Sequence, residues 1–244
     1  MSQFDPAAAA ATILAVRNGA ERPADLDQTP PDTDAAYAVQ REVIAGLGQG
    51  GAWKIAMLEG RHRHTGVMPR SEISMWGETR PALPKDACVE VETALILGAD
   101  LPAGSDAAAA RAAVAEVRLA LELVSSRFAD RTAANPLSGM ADNFSSAGIV
   151  LGDQIEEWDG TLEGKMDLRL SYDGTAVEVT EVAQPLSGAI EFLVWLADHA
   201  EAQGLPLRRG DVLITGARIG PLPMNGATEV RASAGSAEVS VSFA

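Results

Sequence analysis

The stretch CVEVETALIL, residues 88–97, carries the clearest strand pattern in the chain. Mostly apolar residues alternate with Glu90 and Glu92, which is the two-residue period of a β-strand. Both carboxylates therefore project from one face, which is not the main hydrophobic one. From this stretch onward the chain changes from a helical to a strand period, so the sequence predicts a fold that combines helices with a β-rich part.

The two glutamates of this strand form a candidate metal site. Their Cα atoms lie roughly 6 to 7 Å apart, from the rise per residue of a strand, so both carboxylates can reach one hard cation. Ligation by oxygen alone selects Mg²⁺, Mn²⁺ or Ca²⁺ over zinc. The alternative is a solvated strand face, and the alternation by itself leaves both interpretations open.

Further strands and one helix are predicted beyond this stretch. Residues 105–124 begin with an Ala-rich helical pattern and end with strand alternation, so we expect a helix that runs into a strand. Apolar residues at helical spacing between Ile190 and Ala197 predict a later helix that ends at Gly204. Short strand candidates between Gly, Asp and Pro residues are 168–172, 176–182, 211–215, 228–232 and 239–243.

The first quarter of the chain reads as helices. Asp5 is suited to the N-cap and Pro6 to the first turn of a first helix, and Gly19 ends it. A linker rich in Pro and Asp covers residues 22–34. A second helical pattern follows, with apolar residues at Ala36, Val39, Val43 and Leu47.

Charge and composition exclude several classes of function. The 244 residues carry 19 Lys and Arg against 34 Asp and Glu, a net charge of −15 that would repel a nucleic-acid backbone. Such a chain can still bind an anionic metabolite where a metal ion reverses the local potential. The single cysteine, Cys88, forms no intrachain disulfide, and we find no leader peptide or apolar run of about 18 residues. We therefore expect a cytoplasmic protein that binds neither nucleic acid nor membrane.

Six motifs follow one another from about residue 35 to the C-terminus. They are AYAVQ with Tyr37 and Gln40, AWKIA with Trp53 and Lys54, VEVET with Glu90 and Glu92, ELVSSR from Glu122 to Arg127, DNFSSAGIVLG from Asp142 to Gly152, and GDVLITG from Gly210 to Gly216. In these motifs and their order the chain resembles the fumarylacetoacetate hydrolase superfamily, in its branch of 2-oxopent-4-enoate hydratases and 4-oxalocrotonate decarboxylases.

The resemblance implies an α+β fold, a mixed β-sandwich roll with an N-terminal helical segment. We expect the helical segment over residues 1–70 and the β-rich catalytic domain over residues 71–244. A homo-oligomer is also implied.

The resemblance also implies a metal site. Glu90, Glu92 and Glu122 would hold Mg²⁺ or Mn²⁺, and the remaining coordination sites would go to water and to the carboxylate and 2-oxo oxygens of the substrate. For Glu122 the alternative is a surface pair with Arg118.

Two further residues match positions that contact the substrate in that family. Lys54 corresponds to a lysine near the substrate's carboxylate and reacting carbons, where partial burial beside a cation would depress its pKa and suit it to proton transfer. Ser145 corresponds to a hydroxyl that contacts the substrate. The alternatives are a solvated lysine and a serine that satisfies loop backbone. The pocket wall is expected from a turn at Trp53 and from the DNFSS loop.

The function implied is a metal-dependent lyase of aromatic-compound catabolism. It would add water to a 2-hydroxy-2,4-dienoate to give a 4-hydroxy-2-oxo acid, with the ion stabilising a dienolate. A 4-oxalocrotonate-type decarboxylase shares that intermediate and stays open, as does hydrolysis of a C–C bond in an acylpyruvate. An alternative of another class is a protein that binds metal and a 2-oxo acid without catalysis.

One departure from the family motivates that last alternative. The stretch PRSEISMW, residues 69–76, has no clear counterpart of a family acidic residue, and Glu72 is a weak substitute. His62 and His64 are expected in a flexible surface or lid segment, and His199 on an ordinary helix surface. Gly46, Gly48 and Gly51 fit a dinucleotide pattern, but they follow a helix where that site needs a strand.

Overall fold

The computed structural model describes residues 4–58, 62–155, 165–183 and 187–244. The helices are α1 Pro6–Arg17, α2 Thr33–Leu47, α3 Ala107–Ala113, α4 Pro136–Ala141 and α5 Ser187–Ala202. The strands are β1 Gly50–Leu58, β2 His62–Pro69, β3 Ile73–Met75, β4 Thr79–Arg80, β5 Cys88–Leu97, β6 Val114–Val124, β7 Ser146–Gln154, β8 Lys165–Tyr172, β9 Thr175–Ala183, β10 Val212–Ile214, β11 Ile219–Pro223, β12 Glu229–Ala234 and β13 Ala237–Phe243.

The strands form two sheets. The larger has eight strands in the order β2-β1-β10-β5-β6-β7-β3, and β11 pairs with β5 beside this path. The smaller has five strands in the order β4-β13-β12-β8-β9. Parallel pairs such as β1 with β10 and β3 with β7 occur among antiparallel ones. The predicted α+β fold with a mixed β-sandwich roll is therefore confirmed.

The larger sheet curls into a roll whose inner face is partly apolar. One buried cluster joins residues of six of its strands: Ala52, Met68, Ala94, Ala120, Ile149, Leu151, Val212 and Ile214. The roll closes where β2 meets the start of β7. There the Ser146 hydroxyl donates to the sulfur of Met68, and the Val67 N–H donates to Asn143 Oδ1 over 3.1 Å.

Two apolar layers cover the outer face of this roll. Val89, Val91 and Leu121 pack against the smaller sheet, and Leu95 and Leu97 pack with helices α3 and α5. This outward set follows from the alternation of β5, because every second residue faces the same side. Glu90 and Glu92 therefore face the inside of the roll.

Helices α1 and α2 form a third apolar cluster with α4. Asp5 accepts hydrogen bonds from the backbone of the first turn of α1, and Asp32 does the same for α2, so both helices begin at capped residues. The predicted N-cap and Pro6 start are confirmed. No helix in the described part of the chain is long and apolar enough to cross a bilayer.

The structure corrects the description of residues 1–70 as helical. The N-terminal helices end at Leu47, and strands β1 and β2 belong to the larger sheet. Trp53 and Lys54 therefore lie on a strand and not on a turn. His62 and His64 lie on β2, and the preceding Arg61 of the RHRH stretch falls outside the described residues. The division into two domains at residue 70 stays a prediction.

Candidate metal site

Three glutamates meet on the inner face of the roll. Strands β5 and β6 pair in a register that sets Glu90 directly opposite Glu122, with Glu92 two residues further on the same face. Glu92 is 1% exposed and Glu122 0% exposed. A solvated strand face is therefore wrong for this pair of strands.

The three carboxylates lie close enough to share one cation. One oxygen of each lies within 4.8 Å of the others. Burial and the neighbouring Glu122 carboxylate raise the pKa of Glu90, and the same two causes raise that of Glu92 well above its ordinary value. Like charges directly opposite in a sheet are destabilising, so this arrangement calls for a positive charge among them.

Lys54 supplies one such charge. Its Nζ donates to both oxygens of Glu122, over 2.5 and 2.8 Å, and both side chains are buried. Burial alone would lower the pKa of Lys54, but the carboxylates of Glu122, Glu90 and Glu92 outweigh burial and raise it. The depressed pKa expected for Lys54 beside a cation stays a prediction.

The turn after β10 fixes the position of Glu92. The backbone N–H of Gly216 donates to Glu92 Oε2 over 2.7 Å. One residue earlier, the hydroxyl of Thr215 bonds that of Thr93 over 2.7 Å, which ties the turn to β5. The GDVLITG motif thus ends beside the glutamate cluster, and its final glycine orients one carboxylate.

The DNFSS loop lies at the seam of the roll, near Lys54. Gly66 pairs with Lys54 across β1 and β2, and a Cβ added to Gly66 would lie 3.2 Å from the carbonyl oxygen of Asn143. Asn143, Phe144 and Ser145 all have positive φ, at 51°, 53° and 66°. The loop therefore packs on the strand that neighbours Lys54, in a conformation that residues with a Cβ rarely adopt.

Comparison with known families decides the affiliation of this fold. Residues 53–243 match the family described as fumarylacetoacetate (FAA) hydrolase C-terminal. The chain belongs to the fumarylacetoacetate hydrolase family. The match begins at Trp53, next to Lys54, and includes all three glutamates.

Curated relatives of this fumarylacetoacetate hydrolase family member carry names of two activities. A 4-oxalocrotonate decarboxylase from Pseudomonas sp is 33% identical over 145 residues, which are 59% of this chain and 55% of the relative. A 2-keto-4-pentenoate hydratase from Burkholderia vietnamiensis is 36% identical over 138 residues, 55% of this chain and 51% of the relative. The matches thus span about half the length of these relatives.

Solved structures share the fold. The 4-oxalocrotonate decarboxylase from Pseudomonas putida G7, complexed with magnesium and adipate, has a TM-score of 0.74 at 19% identity and covers 100% of both chains. Fumarylpyruvate hydrolase from Pseudomonas aeruginosa, in complex with Mn²⁺ and pyruvate, has a TM-score of 0.56 at 15% identity over 79% of this chain and 88% of that one. At these identities the likeness describes the fold alone.

Within this family fold, the structure brings Glu90, Glu92, Glu122 and Lys54 together, while their roles stay predictions. Glu122 does not pair with Arg118, which instead bonds Glu116 over 2.6 Å. Ser145 is 5% exposed, and its predicted contact with substrate also stays a prediction.

Two other expectations, for Trp53 and His199, differ from what the structure contains. Trp53 packs outward with helix α5 and does not share the inner face with Lys54. Glu72 forms an ion pair with Arg17 of α1 and is outside the glutamate cluster. His199 is half-buried and stacks on Trp195, with ring centroids 4.8 Å apart, so it is not an ordinary surface residue.

Arg218 is a charged residue near the cluster that the sequence did not single out. It follows the GDVLITG motif by two residues, and its Nη1 donates to the carbonyl of Gly216 over 2.9 Å. Burial lowers the pKa of Arg218, and the nearby Glu92 carboxylate opposes that shift. Its position just after a family motif is the signal that could have found it.

Proposed function

We propose that this chain is a divalent-metal-dependent lyase that adds water to a 2-hydroxy-2,4-dienoate, of the 2-oxopent-4-enoate type, to give a 4-hydroxy-2-oxo acid. The observation that carries the proposal is the cluster of Glu90, Glu92 and Glu122 on the inner face of the roll, with Lys54 bonded to it. Loss of CO₂ from a 4-oxalocrotonate-type substrate is the alternative, because one relative is named for that reaction.

The donor set of the cluster fits Mg²⁺ or Mn²⁺. All three side chains offer oxygen, which these hard cations prefer. Three ionised carboxylates carry more negative charge than the Lys54 ammonium and the nearby Arg218 guanidinium compensate, which favours a bound cation. A cation held by Glu90, Glu92 and Glu122 would act as a Lewis acid on the carboxylate and 2-oxo oxygens of the substrate.

The other side chains would bind and orient. Lys54 holds the Glu122 carboxylate in place, and Nζ is the candidate donor or acceptor of the proton that moves to or from the substrate carbons. The Gly216 N–H fixes Glu92, and Ser145 is the candidate hydroxyl for a substrate oxygen. The apolar inner wall around Ala120 and Ile149 would keep water from the rest of the substrate.

The names of the relatives and the ligands of the solved structures support this proposal. Both named activities act on small unsaturated 2-oxo acids, and two structures of the same fold contain a divalent metal with a small acid. We therefore propose a small anionic 2-oxo acid as the substrate. A homo-oligomeric state and a cytoplasmic location stay predictions from the sequence.

The test is the ultraviolet absorbance of a 2-hydroxy-2,4-dienoate, followed with and without Mg²⁺. We expect decay that requires metal, is lost in Glu92→Gln and is retained in Glu191→Gln, an exposed glutamate of α5. Mass analysis of the product separates gain of water from loss of CO₂. Metal-dependent binding without decay across a substrate panel would instead favour a binding protein and contradict the lyase.

A further inference from the structure

Three consecutive residues of the DNFSS loop occupy the left-handed region. Asn143, Phe144 and Ser145 have φ of 51°, 53° and 66°. Each carries a Cβ, which this region disfavours, and a run of such residues persists only where its surroundings over-determine it. Contacts between this loop and its surroundings must therefore impose the conformation.

A buried ion pair fixes the start of the loop. The Arg127 guanidinium binds Asp142 Oδ1, and the Arg127 backbone N–H donates to Oδ2 over 3.1 Å. Arg127 Nη2 also donates to the Asp142 carbonyl over 2.7 Å, and the Ser145 N–H donates to that same carbonyl over 2.9 Å. Arg127 thus bonds both the carboxylate and the carbonyl of Asp142, and the same carbonyl accepts from the Ser145 N–H.

The remaining contacts join the loop to the end of β6, which carries Glu122, and to β2, which pairs with the strand of Lys54. The Ser125 N–H donates to the Ser145 carbonyl over 2.8 Å, and Ser125 follows directly on β6, the strand of Glu122. On the other side Asn143 accepts from Val67 of β2, the strand that pairs with β1 and Lys54. The loop is therefore fixed between β2 and the end of β6.

The Arg127–Asp142 pair is a poor source of stability. The residues are 6% and 0% exposed, and burial raises the pKa of Asp142 and lowers that of Arg127 in spite of their contact. Desolvation of a buried pair commonly cancels its attraction, and some buried pairs instead specify one conformation. Here the conformation they specify is the left-handed run.

We propose that Arg127 and Asp142 are positioning residues that hold residues 143–145 in the left-handed conformation and thereby direct the Ser145 hydroxyl to the substrate beside the glutamate cluster. This inference rests on the proposed function, because it takes Ser145 as a substrate contact. Arg127 and Asp142 are both buried and bonded to each other, so in this proposal both act through Ser145.

A double-mutant cycle in the full chain tests this inference. Calorimetry measures the affinity for Mg²⁺ alone and then, at saturating Mg²⁺, the affinity for 2-oxopentanoate. We expect Asp142→Asn and Ser145→Ala each to lower the affinity for 2-oxopentanoate by about tenfold, because each removes one hydrogen bond to the ligand. The affinity for Mg²⁺ should stay within about twofold of wild type. The double variant should show no further loss, because both substitutions remove one interaction.

A second variant and a control complete the design. Arg127→Lys keeps the charge but loses the planar contacts to Asp142, so it should give the same loss as Asp142→Asn. Asp86→Asn removes the carboxylate of the exposed Arg22–Asp86 pair and should leave both affinities unchanged.

The outcomes separate this inference from the proposed function. Additive losses in the double variant, wild-type affinity in Asp142→Asn, or a parallel loss of Mg²⁺ affinity would each overturn the positioning role. If wild-type protein binds 2-oxopentanoate equally with and without Mg²⁺, the proposed function is itself wrong and the inference goes with it.

Discussion

Lys54 Nζ contacts both carboxylate oxygens of Glu122, although β10 and β5 lie between their strands in the sheet. In a flat sheet their Cα atoms would be about 19 Å apart, because three strand spacings separate the two strands and Glu122 lies four residues beyond Arg118, the residue of β6 in line with Lys54. The contact therefore depends on the curl of the roll. It closes the inner face at the point where the three glutamates meet.

Removal of Lys54 should destabilise the protein strongly when no divalent cation is present. Lys54→Met leaves Glu122 buried without its cation, and loss of one partner of a buried pair costs about 3–5 kcal/mol. Addition of Mg²⁺ should recover much of that loss, because the cation supplies the missing charge. Urea unfolding with and without Mg²⁺ measures both effects.

The matched control is Lys165→Met. Lys165 pairs with Glu181 at an exposed position, and exposed pairs contribute at most about 1 kcal/mol. A Lys54→Met protein as stable as Lys165→Met would show that the Lys54–Glu122 contact does not hold the roll closed.

Magnesium should raise the melting temperature of the wild-type protein. A ligand that binds only the folded state stabilises it by about 2.7 kcal/mol at one hundred times its dissociation constant. Glu92→Gln removes one of three carboxylates and should reduce this stabilisation sharply. It should also make the metal-free protein more stable, because Glu92 is buried between like charges.

The control for this measurement is Glu191→Gln on α5, whose melting temperature should rise with Mg²⁺ as that of the wild type does. An equal shift in Glu92→Gln would remove Glu92 from the set of metal ligands.

The sequence predicted those strands whose two faces differ in polarity. Strand β5 alternates between outward apolar residues and Glu90 and Glu92, so its period was visible. Strand β1 begins in a Gly-rich stretch and is buried on both faces from Ala52 to Lys54, so no alternation marked it as a strand. This is why residues 50–69 were assigned to the helical segment.

The glutamate cluster could be predicted only in part. Glu90 and Glu92 share one strand, so their common face follows from local periodicity. Glu122 and Lys54 join them through strand register and the curl of the sheet, which local patterns do not contain, so their inclusion depended on the family motifs. The pKa of Lys54 likewise depends on how many carboxylates the fold brings around the ammonium, and local patterns do not contain that number.

Gly152 of β7 should tolerate no larger side chain. A Cβ there would lie 2.6 Å from Val239 Cβ and even closer to the Glu238 carbonyl oxygen, where β13 packs on the roll. Gly152→Ala should therefore destabilise the protein by about 1–3 kcal/mol in urea unfolding, the usual cost of overpacking. Gly139→Ala in α4 meets nothing within 4 Å and should be neutral or stabilising by up to about 1 kcal/mol.

His199 should make the stability of the fold sensitive to acid. Burial lowers the pKa of His199 from 6.5 to about 4, with smaller effects from His64, Asp34 and Arg41, and its Nε2 is buried without a hydrogen-bond partner. The unfolded chain therefore binds more protons between pH 6.5 and 4. The contribution of His199 to the free energy of unfolding should fall as the pH decreases through this window and change little below it.

Replacement by phenylalanine isolates this contribution. His199→Phe keeps an aromatic ring between Trp195 and Tyr37 but cannot bind a proton. Between pH 7 and pH 4.5 the free energy of unfolding of His199→Phe, measured with urea, should decrease by about 1–2 kcal/mol less than that of the wild type. This value is smaller than the full pKa shift would give, because the ring is only half-buried. His62→Gln, at an exposed position on β2, should follow the wild type, and a His199→Phe curve parallel to both would place the acid sensitivity elsewhere.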